Sequence, residues 1–555
     1  MYLLEARRAQ IREALRQAHR DASERGELPQ APFPPCVLEE PRSEQHGDLA
    51  TNVALQLARG TRLGPRQVAA ALVAGLTPQR IPVLERAEVA GPGFINIYFR
   101  DGWLAPAVGE ILAAGLDYGA SAMGQGRRVL VEFVSANPTG PLNVVNCRAA
   151  AFGDSLVRCL NAAGYRAEAE FYVNDAGGQF RKLGLSLEAR LRRLRGEAAE
   201  VPEGGYPGDY LVAMASRYAD ERGMDVLEQE PERRITMLAR YAVDRILQRQ
   251  REVLERFGVH FDHFSLESDI RAARGPERVV EELSARGYTE ERDGALWLKT
   301  EGAGDNDDRV LRKRDGEYTY RVPDIAYHAG KFERGYDLLI DIYGHDHHGE
   351  VQAVRLALEW LGYPVDHLEV LLTQMIRLLR DGREEKISKR SGNFISMEDF
   401  LDEVGVDAAR FFFLTRTIDT HMDFDVELAK RQSQDNPVYY VQYAHARICS
   451  ILRQAGELVA EADAAPLVHP AETALLRALA ALPDEIAAAA SSRAPHRLTA
   501  YARQTAERFH GFYAQCRVLG GEPAQSRARL ALCSATQIVL ARVLGLLGVS
   551  APQSM

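Results

Sequence analysis

Apolar positions change period several times along this chain, and each change marks an element. Residues 129–134 form a short β-branched run. The punctuated stretch Ser135-Ala136-Asn137-Pro138-Thr139-Gly140-Pro141 follows, and then Val144, Ala149, Phe152, Leu156, Cys159 and Leu160 recur at helical spacing. Gly164 falls where a helix C-cap belongs, and residues 167–173 read as a second strand. Strand, loop, helix and strand make a βαβ unit, which predicts a parallel sheet. A loop feeding a helix N-terminus in such a unit offers free N–H groups and the positive end of the dipole. It is either an anion site or an ordinary crossover.

Upstream, residues 1–118 read as a small α/β module. An amphipathic N-terminal helix leads into a loop with Pro32, Pro34 and Pro35. A second helix is expected to begin in His46-Gly47-Asp48-Leu49-Ala50-Thr51-Asn52-Val53-Ala54, capped by Asp48 or Thr51. Residues 87–99, split by Gly91-Pro92-Gly93, predict two strands joined by a turn. The glycines of residues 119–126 suggest a linker. Downstream, residues 180–257 are helical by period, broken near 202–208. Strands are expected at about 288–299, 318–322, 337–343 and 368–379. Beyond Asn436-Pro437 the texture is Ala, Leu and Arg at helical spacing, which predicts an all-helical bundle to Met555.

A chain of 555 residues allows roughly three or four domains. With 46% apolar and 26% charged residues it is composed like a soluble globular protein. No run comes near the roughly 18 consecutive apolar residues of a membrane span. The charged N-terminus lacks the apolar core of a signal peptide. Six scattered cysteines, with no C-x-x-C pair, point to free thiols in a reducing cytoplasm and no structural zinc. The net charge of −10 gives no global nucleic-acid signature. Two local stripes are basic. Eight arginines between Arg493 and Arg542 face only Glu507 and Glu522; the other stripe is Arg181, Lys182, Arg190, Arg192, Arg193 and Arg195. Each is either a polyanion contact or a solvated helix face.

Four constellations carry candidate chemistry. The loop from Glu132 to Asn146 lies where an open α/β sheet binds ligands, and Asn137 has both donors and acceptors. Lys386-Ile387-Ser388-Lys389-Arg390-Ser391-Gly392-Asn393 is a phosphate clamp or a solvated basic loop. Gly344-His345-Asp346-His347-His348 suits either a metal or a ribose held by Asp346. Tyr320 and Asp324, expected at a strand end, suit a guanidinium, as Glu132 does; a structural ion pair is the alternative.

Taken together, VEFVSANPTGPL, FYVNDAGGQ, PDIAY, GHDHH, KISKRSGN, NPVYYVQYAHAR and the N-terminal GDLATNVA closely resemble the arginyl-tRNA synthetases, class I enzymes, over nearly the whole chain. The resemblance implies an α/β protein in three parts. Residues 1–118 would form an N-terminal tRNA-contacting domain. Residues 119–430 would form a Rossmann-type parallel-sheet catalytic domain with a helical insertion at about 180–260. Residues 431–555 would form an α-helical anticodon-binding domain. It implies activation of L-arginine by ATP with Mg²⁺, no dedicated protein metal site, and transfer to tRNA(Arg) by a cytoplasmic monomer that enters no membrane. The tRNA is needed for the first step in the family. By position, Glu132, Ser135, Asn137, Tyr320, Asp324 and His347 would hold arginine. Gly140, Val145, Gly344, Asp346 and Met375 would line the ATP site. Asn143, Asn146, Lys386, Ser388 and Lys389 would serve the chemistry, and Tyr439, Tyr443, Arg447 and Arg517 would meet tRNA.

The family's His-x-Gly-His signature here reads Asn143-Val144-Val145-Asn146, followed by Cys147 in place of a small residue. Ile387 replaces the usual methionine of the second signature. An asparagine amide still donates a hydrogen bond but carries no positive charge. A branched Cβ at Val145 stands where a glycine would let the adenine lie on the backbone. Two functions are therefore open: a working ligase with an adapted pocket, or a tRNA-binding relative that no longer activates arginine.

Overall fold

The computed structural model describes residues 1–41, 43–59, 61–344, 348–385, 395–456 and 464–555. Helix α1 (Leu3–Glu24) buries Leu4, Ile11, Leu15, Ala18 and Ala22, a three-and-four spacing that makes one apolar stripe. Strand β1 (Leu49–Thr51), α2 (Val53–Ala58), α3 (Pro65–Ala74), β2 (Leu84–Ala90) and β3 (Phe94–Phe99) follow. The strands form an antiparallel sheet in the order β1-β3-β2, and α3 packs between that sheet and α1. The expected hairpin at 87–99 is present. The expected second helix is present as α2, with the Thr51 hydroxyl accepting from the Val53 N–H at 3.3 Å, but it does not start at Asp48. Residues 49–51 pair with β3, and Asp48 Oδ2 instead accepts from the Phe99 N–H at 2.8 Å. Leu49 and Thr51 both face inward, a period of two that strand pairing rewards.

After α4 (Pro106–Ala114), the glycine-rich stretch expected to be a linker is a packed strap. The N–H groups of Ser121, Gly124 and Gly126 donate to the carbonyls of Ala162, Ala163 and Gly164 at 2.9, 2.8 and 2.8 Å. The βαβ unit is β4 (Arg128–Glu132), α5 (Val144–Ala162) and β5 (Arg166–Val173), with parallel pairing. Gly164 ends α5 at φ +86°, and a Cβ there would sit 2.4 Å from the Ser121 carbonyl oxygen, so only glycine fits. Helices α6 (Gly177–Leu194), α7 (Tyr210–Arg222) and α8 (Pro231–Arg256) separate β5 from β6 (His263–Leu266), as the periodicity of 180–257 implied.

Next come α9 (Glu267–Ala272), α10 (Gly275–Ala285), the antiparallel strands β7 (Thr289–Arg292), β8 (Ala295–Leu298) and β9 (Arg309–Arg312), α11 (Arg321–Glu333), β10 (Leu338–Gly344), α12 (His348–Trp360) and β11 (Leu368–Thr373). The parallel sheet runs β11-β10-β4-β5-β6. From β4 the chain moves to β5 on one side and returns to β10 on the other, so the crevice between β4 and β10 is the switch point. Three strand expectations change here. Residues 288–299 are two antiparallel strands, β7 and β8, turned at Asp293-Gly294. Tyr318 makes only an isolated bridge to Arg312, and Arg321 already begins α11. Val322, Ile325, Ala326 and Ala329 are buried at helical spacing, and that stripe decides the element. Residues 368–379 are two strands in different sheets, because the chain breaks at Gln374-Met375 between β11 and β12 (Ile376–Arg380).

Strand β12 pairs with β13 (Arg383–Glu385) and, past α13 (Met397–Val404) and α14 (Val406–Phe413), with β14 (Met422–Asp425). After α15 (Val426–Lys430) the described residues are helical: α16 (Pro437–Ala455), α17 (Pro470–Ala480), α18 (Leu482–Ser491), α19 (His496–Gln515) and α20 (Pro523–Leu547). Asn436 caps α16, accepting from the N–H groups of Val438 and Tyr439, and Pro437 takes the first helical position. By length and composition α20 could cross a membrane, which the reading of apolar runs did not anticipate. It is 67% buried over that window and packs on α4, α5, α16 and α19, the position of a core helix.

Helix α5 is the element on which these layers meet, touching α14, α18 and α20 as well as the sheet. Its Gly153 lies against the Phe133 ring, where an added Cβ would approach to 2.2 Å. G153A should therefore cost about 1–3 kcal/mol, read as a lowered urea midpoint at unchanged m-value.

Candidate active site

At the switch point the register puts Asp341 of β10, Glu132 of β4 and Glu170 of β5 side by side on neighbouring strands. All three carboxylates are buried. One face of α11 lies over them. Asp324, Tyr327, His328, Lys331 and Arg334 recur at three- and four-residue spacing and so share a side. Lys331 Nζ bridges Glu132 and Asp341, 2.7 Å from the latter. His328 Nε2 lies 2.8 Å from Asp341, and its Nδ1 lies 3.2 Å from Asp324. Arg334 pairs with Glu170, which also accepts from the Tyr327 hydroxyl at 3.1 Å.

Burial and the Lys331 charge push the His328 imidazole down, but Asp324 and Asp341 more than reverse this and hold it at about 10. Burial would raise Asp341; Lys331 and His328 overcome that and keep it well below the usual carboxylate range. Glu132 is pushed up by burial, an effect Lys331 opposes only in part. Burial, reinforced by the carboxylates, keeps the phenols of Tyr172, Tyr327 and Tyr343 neutral. Glu132, His328 and Asp341 have the spacing of a metal site. The Lys331 ammonium already sits between the two carboxylates, and a hard cation needs more oxygen ligands than remain. The residues do not fit a resident metal.

The loop after β4 is strained. Val134 and Ser135 have φ of +69° and +37°, costly for a β-branched residue. Ser135 holds the turn by donating to Glu132 at 2.7 Å and accepting from the Tyr172 N–H at 3.1 Å. The helices between β5 and β6 brace its far side. Gln250 of α8 donates to the Gly140 carbonyl at 2.9 Å and to that of Asn137 at 3.4 Å. The Tyr210 hydroxyl of α7 donates to the Thr139 carbonyl.

Asn143 caps α5, its side-chain oxygen accepting from Val145 N at 3.0 Å and Asn146 N at 3.2 Å; Asn146 Oδ1 returns the bond to Asn143 N at 2.9 Å. These first-turn N–H groups are thus already satisfied, and the helix start is not a bare anion hole. Val145 is 39% exposed, its methyls outside the core. The N–H of Met397 donates to the Leu142 carbonyl at 2.9 Å and Asn143 bridges Ser396, so residue 395 onward is pinned beside this helix start. Arg148 is buried deeper in α5 and donates to the carbonyls of Gln374, Thr417 and Thr420 at 3.0, 2.7 and 2.8 Å.

Along one stretch of chain Glu132 lies buried at the end of β4, Ser135, Asn137 and Gly140 follow in the loop, and Asn143, Val145 and Asn146 form the start of α5, while Tyr320 and Asp324 stand at the start of α11. Three expectations change. Glu132 is not an open carboxylate, being committed to Lys331 and Ser135. The side chain of Ser135 is likewise engaged. Tyr320 and Asp324 stand in the first turn of α11 and not on a strand; the Tyr320 ring is 60% exposed with the Arg321 guanidinium 4.9 Å from its centre. Gly344 ends β10 beside Thr373, and Met375 lies 55% exposed beyond β11. Asp346, His347, Lys386, Ser388 and Lys389 lie outside the described residues. Lys331, His328, Asp341, Gln250, Tyr210 and Arg148 were missed. For the first two, the helical spacing from Asp324 to Arg334 was a readable signal.

On α16, Tyr439 and Tyr443 lie parallel with centroids 6.3 Å apart, and His510 of α19 extends the stack at 6.0 Å. Arg447 donates to the Tyr443 hydroxyl at 3.0 Å and lies 4.7 Å from the Tyr513 ring. Arg517 is exposed, its Nε donating to the Leu519 carbonyl at 2.9 Å. The long arginine stripe divides. Arg493, Arg497 and Arg529 are paired with Glu369, Glu485 and Glu472, whereas Arg503 and Arg508 are exposed on α19. In the second stripe Arg181, Arg192 and Arg195 are paired with nearby glutamates, and Arg190 and Arg193 bond backbone carbonyls. Five of that stripe's six cations are thus satisfied within the protein.

The His328 cluster makes stability depend on pH. Its imidazole titrates near 6.5 when unfolded and at about 10 when folded. Because the folded value is higher, the stabilisation is complete below about 6.5 and drains away as pH rises through about 10. Urea unfolding should show a fall in stability from pH 7 to 10 that is smaller in H328Q.

Comparison with known proteins covers the chain nearly end to end. Residues 8–99 match the family model of the arginyl tRNA synthetase N-terminal domain, residues 107–414 that of the class I (R) tRNA synthetase catalytic domain, and residues 441–555 the DALR anticodon binding domain. The arginine–tRNA ligase of Symbiobacterium thermophilum is 48% identical over 561 residues, covering 100% of both chains. That of Moorella thermoacetica is 46% identical over 562 residues with the same coverage. The Thermus thermophilus arginyl-tRNA synthetase structure superposes with a TM-score of 0.75 at 25% identity, covering 99% of this chain and 100% of that one. The Plasmodium falciparum arginyl-tRNA synthetase shares the fold, with a TM-score of 0.74 at 16% identity over 99% of each chain. On similarity that runs its full length, this chain belongs to the arginyl-tRNA synthetase family.

Proposed function

We propose that this member of the family is a working arginine–tRNA ligase. The reading is carried by the acid-lined start of α11 facing the rebuilt start of α5 across the switch point. In the first step an oxygen of the arginine carboxylate bonds the α-phosphorus of ATP, and pyrophosphate leaves. In the second a ribose hydroxyl of the terminal adenosine of tRNA(Arg) bonds the carbonyl carbon, and AMP leaves.

Asp324 takes the guanidinium directly. Its side chain is 35% exposed and it stands at the mouth of the cluster. Tyr320 and Asn137 flank it, with Asn137 exposed on the rim. Glu132 acts from beneath, through Lys331 and Ser135. The amide groups of Asn143 and Asn146 face the phosphates, with Gly140, Val145, Gly344 and Met375 around the nucleotide. Lys386 and Lys389 supply the positive charge that Asn143 and Asn146 lack, Ser388 adds a hydroxyl donor between them, and Asp346 and His347 complete the ribose and arginine contacts. Mg²⁺ arrives on the ATP, whose phosphates it screens. Tyr439, Tyr443, Arg447 and Arg517 receive tRNA, bases stacking on exposed π faces. The protein works as a monomer in the cytoplasm, and six free and buried cysteines support the reducing compartment.

Arginine-dependent ATP–pyrophosphate exchange in the presence of tRNA tests this. Exchange should be detectable, slowed by the missing histidines, and faster in N143H/V145G/N146H by up to about 10²-fold, the worth of one transition-state donor. Intact tRNA binding with no exchange would instead establish a binding protein. In the same assay D324N should raise the arginine KM about 10- to 100-fold, the worth of a hydrogen bond to a charged group, and leave the ATP KM nearly unchanged.

A further inference from the structure

Among the described residues three lysine or arginine side chains are buried: Arg148, Lys331 and Arg410. Lys331 lies between Glu132 and Asp341, and Arg410 pairs with Asp154. Arg148 makes no ion pair with a described residue. It donates to three backbone carbonyls, that of Gln374 through Nη1 and those of Thr417 and Thr420 through Nη2, and its Nε is buried without a partner. Burial pushes the guanidinium down to about 10, opposed only in part by Asp419 on the exposed side of the same turn, so it stays charged at neutral pH. A buried charge held by neutral acceptors alone is costly.

The place of those carbonyls gives the reason. Strands β12 and β14 run parallel with Ile376 opposite Met422, and Gln374 and Thr420 stand two residues before each. The Thr417 carbonyl accepts from the Thr420 N–H at 3.2 Å, closing a turn, and the Ile418 carbonyl within it accepts from the Gln374 N–H at 3.0 Å. One planar fork from α5 therefore grips the leading ends of both parallel strands of the small sheet. That sheet also holds β13, whose last residue, Glu385, pairs with Leu378, and the chain next runs into Lys386. Where the chain returns, the Ile395 carbonyl accepts from the Val144 N–H at 3.4 Å and the Met397 N–H donates to Leu142. Both ends of the lysine-bearing segment are thus referred to α5, one through Arg148 and one directly. We propose that Arg148 is a positioning residue for adenylate formation: it fixes the small sheet against α5 and so sets the spacing between Asn143–Asn146 and the strand that leads into Lys386 and Lys389. The role rests on the assignment of those lysines to the ATP phosphates, and adds that a side chain engaged only with backbone carbonyls decides where they start.

Arginine-dependent exchange with tRNA present separates the fork from its charge. R148K keeps the charge and loses the planar fork. Its kcat should fall about 10²-fold, the cost of a misplacement on the order of 1 Å, while the arginine KM stays within about twofold of wild type, because Asp324 stands on α11 outside this joint. T417G/T420G leaves Arg148 intact and changes only half-buried and exposed side chains, removing the 2.5 Å contact between the two hydroxyls. It loosens the turn and should lower kcat about 3- to 10-fold with the arginine KM again unchanged. If R148K does not fold, T417G/T420G decides alone. A brace that serves stability only predicts a lowered urea midpoint with kcat per folded enzyme unchanged, and that result overturns the inference. So does a loss carried by the arginine KM. K389A reports separately on the underlying assignment, since exchange equal to wild type sinks the lysine reading itself. R148K/K389A should lie within about threefold of K389A if Arg148 acts through that segment, and a multiplied loss overturns the role given to it.

Discussion

Lys331 is the interaction on which the rest of the site depends. Parallel pairing forces Glu132 of β4 to lie beside Asp341 of β10, and both are buried. Two carboxylates at neighbouring positions in a low-dielectric interior cannot both stay charged without a cation between them. Lys331 sits there, itself fully buried and held protonated by the acids although burial opposes this; it keeps Asp341 ionised, while burial still pushes Glu132 up. A pair of this kind adds little net stability, since desolvation offsets most of the Coulomb attraction, but losing one partner would leave an uncompensated charge inside. What it fixes is geometry. An ammonium wedged between two strands sets the rotation of α11, and α11 carries Asp324 and Tyr320 to the rim.

The opposite rim is set by strain and bracing. Val134 and Ser135 occupy backbone conformations that side chains avoid, and Ser135 spends its hydroxyl holding them. Such a turn persists only where the surroundings over-determine it. Here Tyr172 supports one side while Gln250 and Tyr210 grip the carbonyls of the other. The helices between β5 and β6 are therefore part of the site's scaffold and not an appendage to the sheet. Helix α5 begins where this loop ends, and the Asn143–Asn146 cap replaces charge with a reciprocal pair of amide bonds that define the first turn.

The sequence made some of this readable and hid the rest for physical reasons. The βαβ unit, the Gly164 cap and the helical C-terminus were legible because period and glycine chemistry are local. The start of α11 was misread as strand because Tyr318 and Tyr320 favour β structure one turn before Val322, Ile325 and Ala329 establish a helical stripe. Glu132 was legible as important yet assigned an open role, because nothing in one segment shows that Lys331, 199 positions away, already holds it. Arg148 was opaque for the same reason, since its partners are backbone carbonyls from two distant loops. The arginines of the last helices looked alike in sequence, but partners such as the buried Glu472 turn some of them into struts. Pairing over long separations is what a linear reading cannot supply.

That long-range pairing also joins the C-terminal helices to the site. Arg410, fully buried on α14, donates to the Phe257 carbonyl at the end of α8 and to the Leu547 carbonyl at the end of α20, at 3.0 and 2.9 Å. Arg158 of α5 does the same one and two positions away, to Gly258 and Gly545 at 3.0 and 3.2 Å. Asp154, also on α5, lies between the two guanidiniums and accepts from both. Two helix C-termini, each carrying unsatisfied carbonyls and negative dipole, are thus tied to one carboxylate on the helix whose other end bears Asn143. Gly548, at φ +66°, is required beneath Arg410, where a Cβ would come within 2.2 Å of the guanidinium. A displacement of α20 cannot be absorbed locally, because its last turn, the last turn of α8 and the middle of α5 share the same buried charges. Helix α16, which carries Tyr439 and Tyr443, packs on α20 and so lies directly against the element that this ionic joint holds to α5.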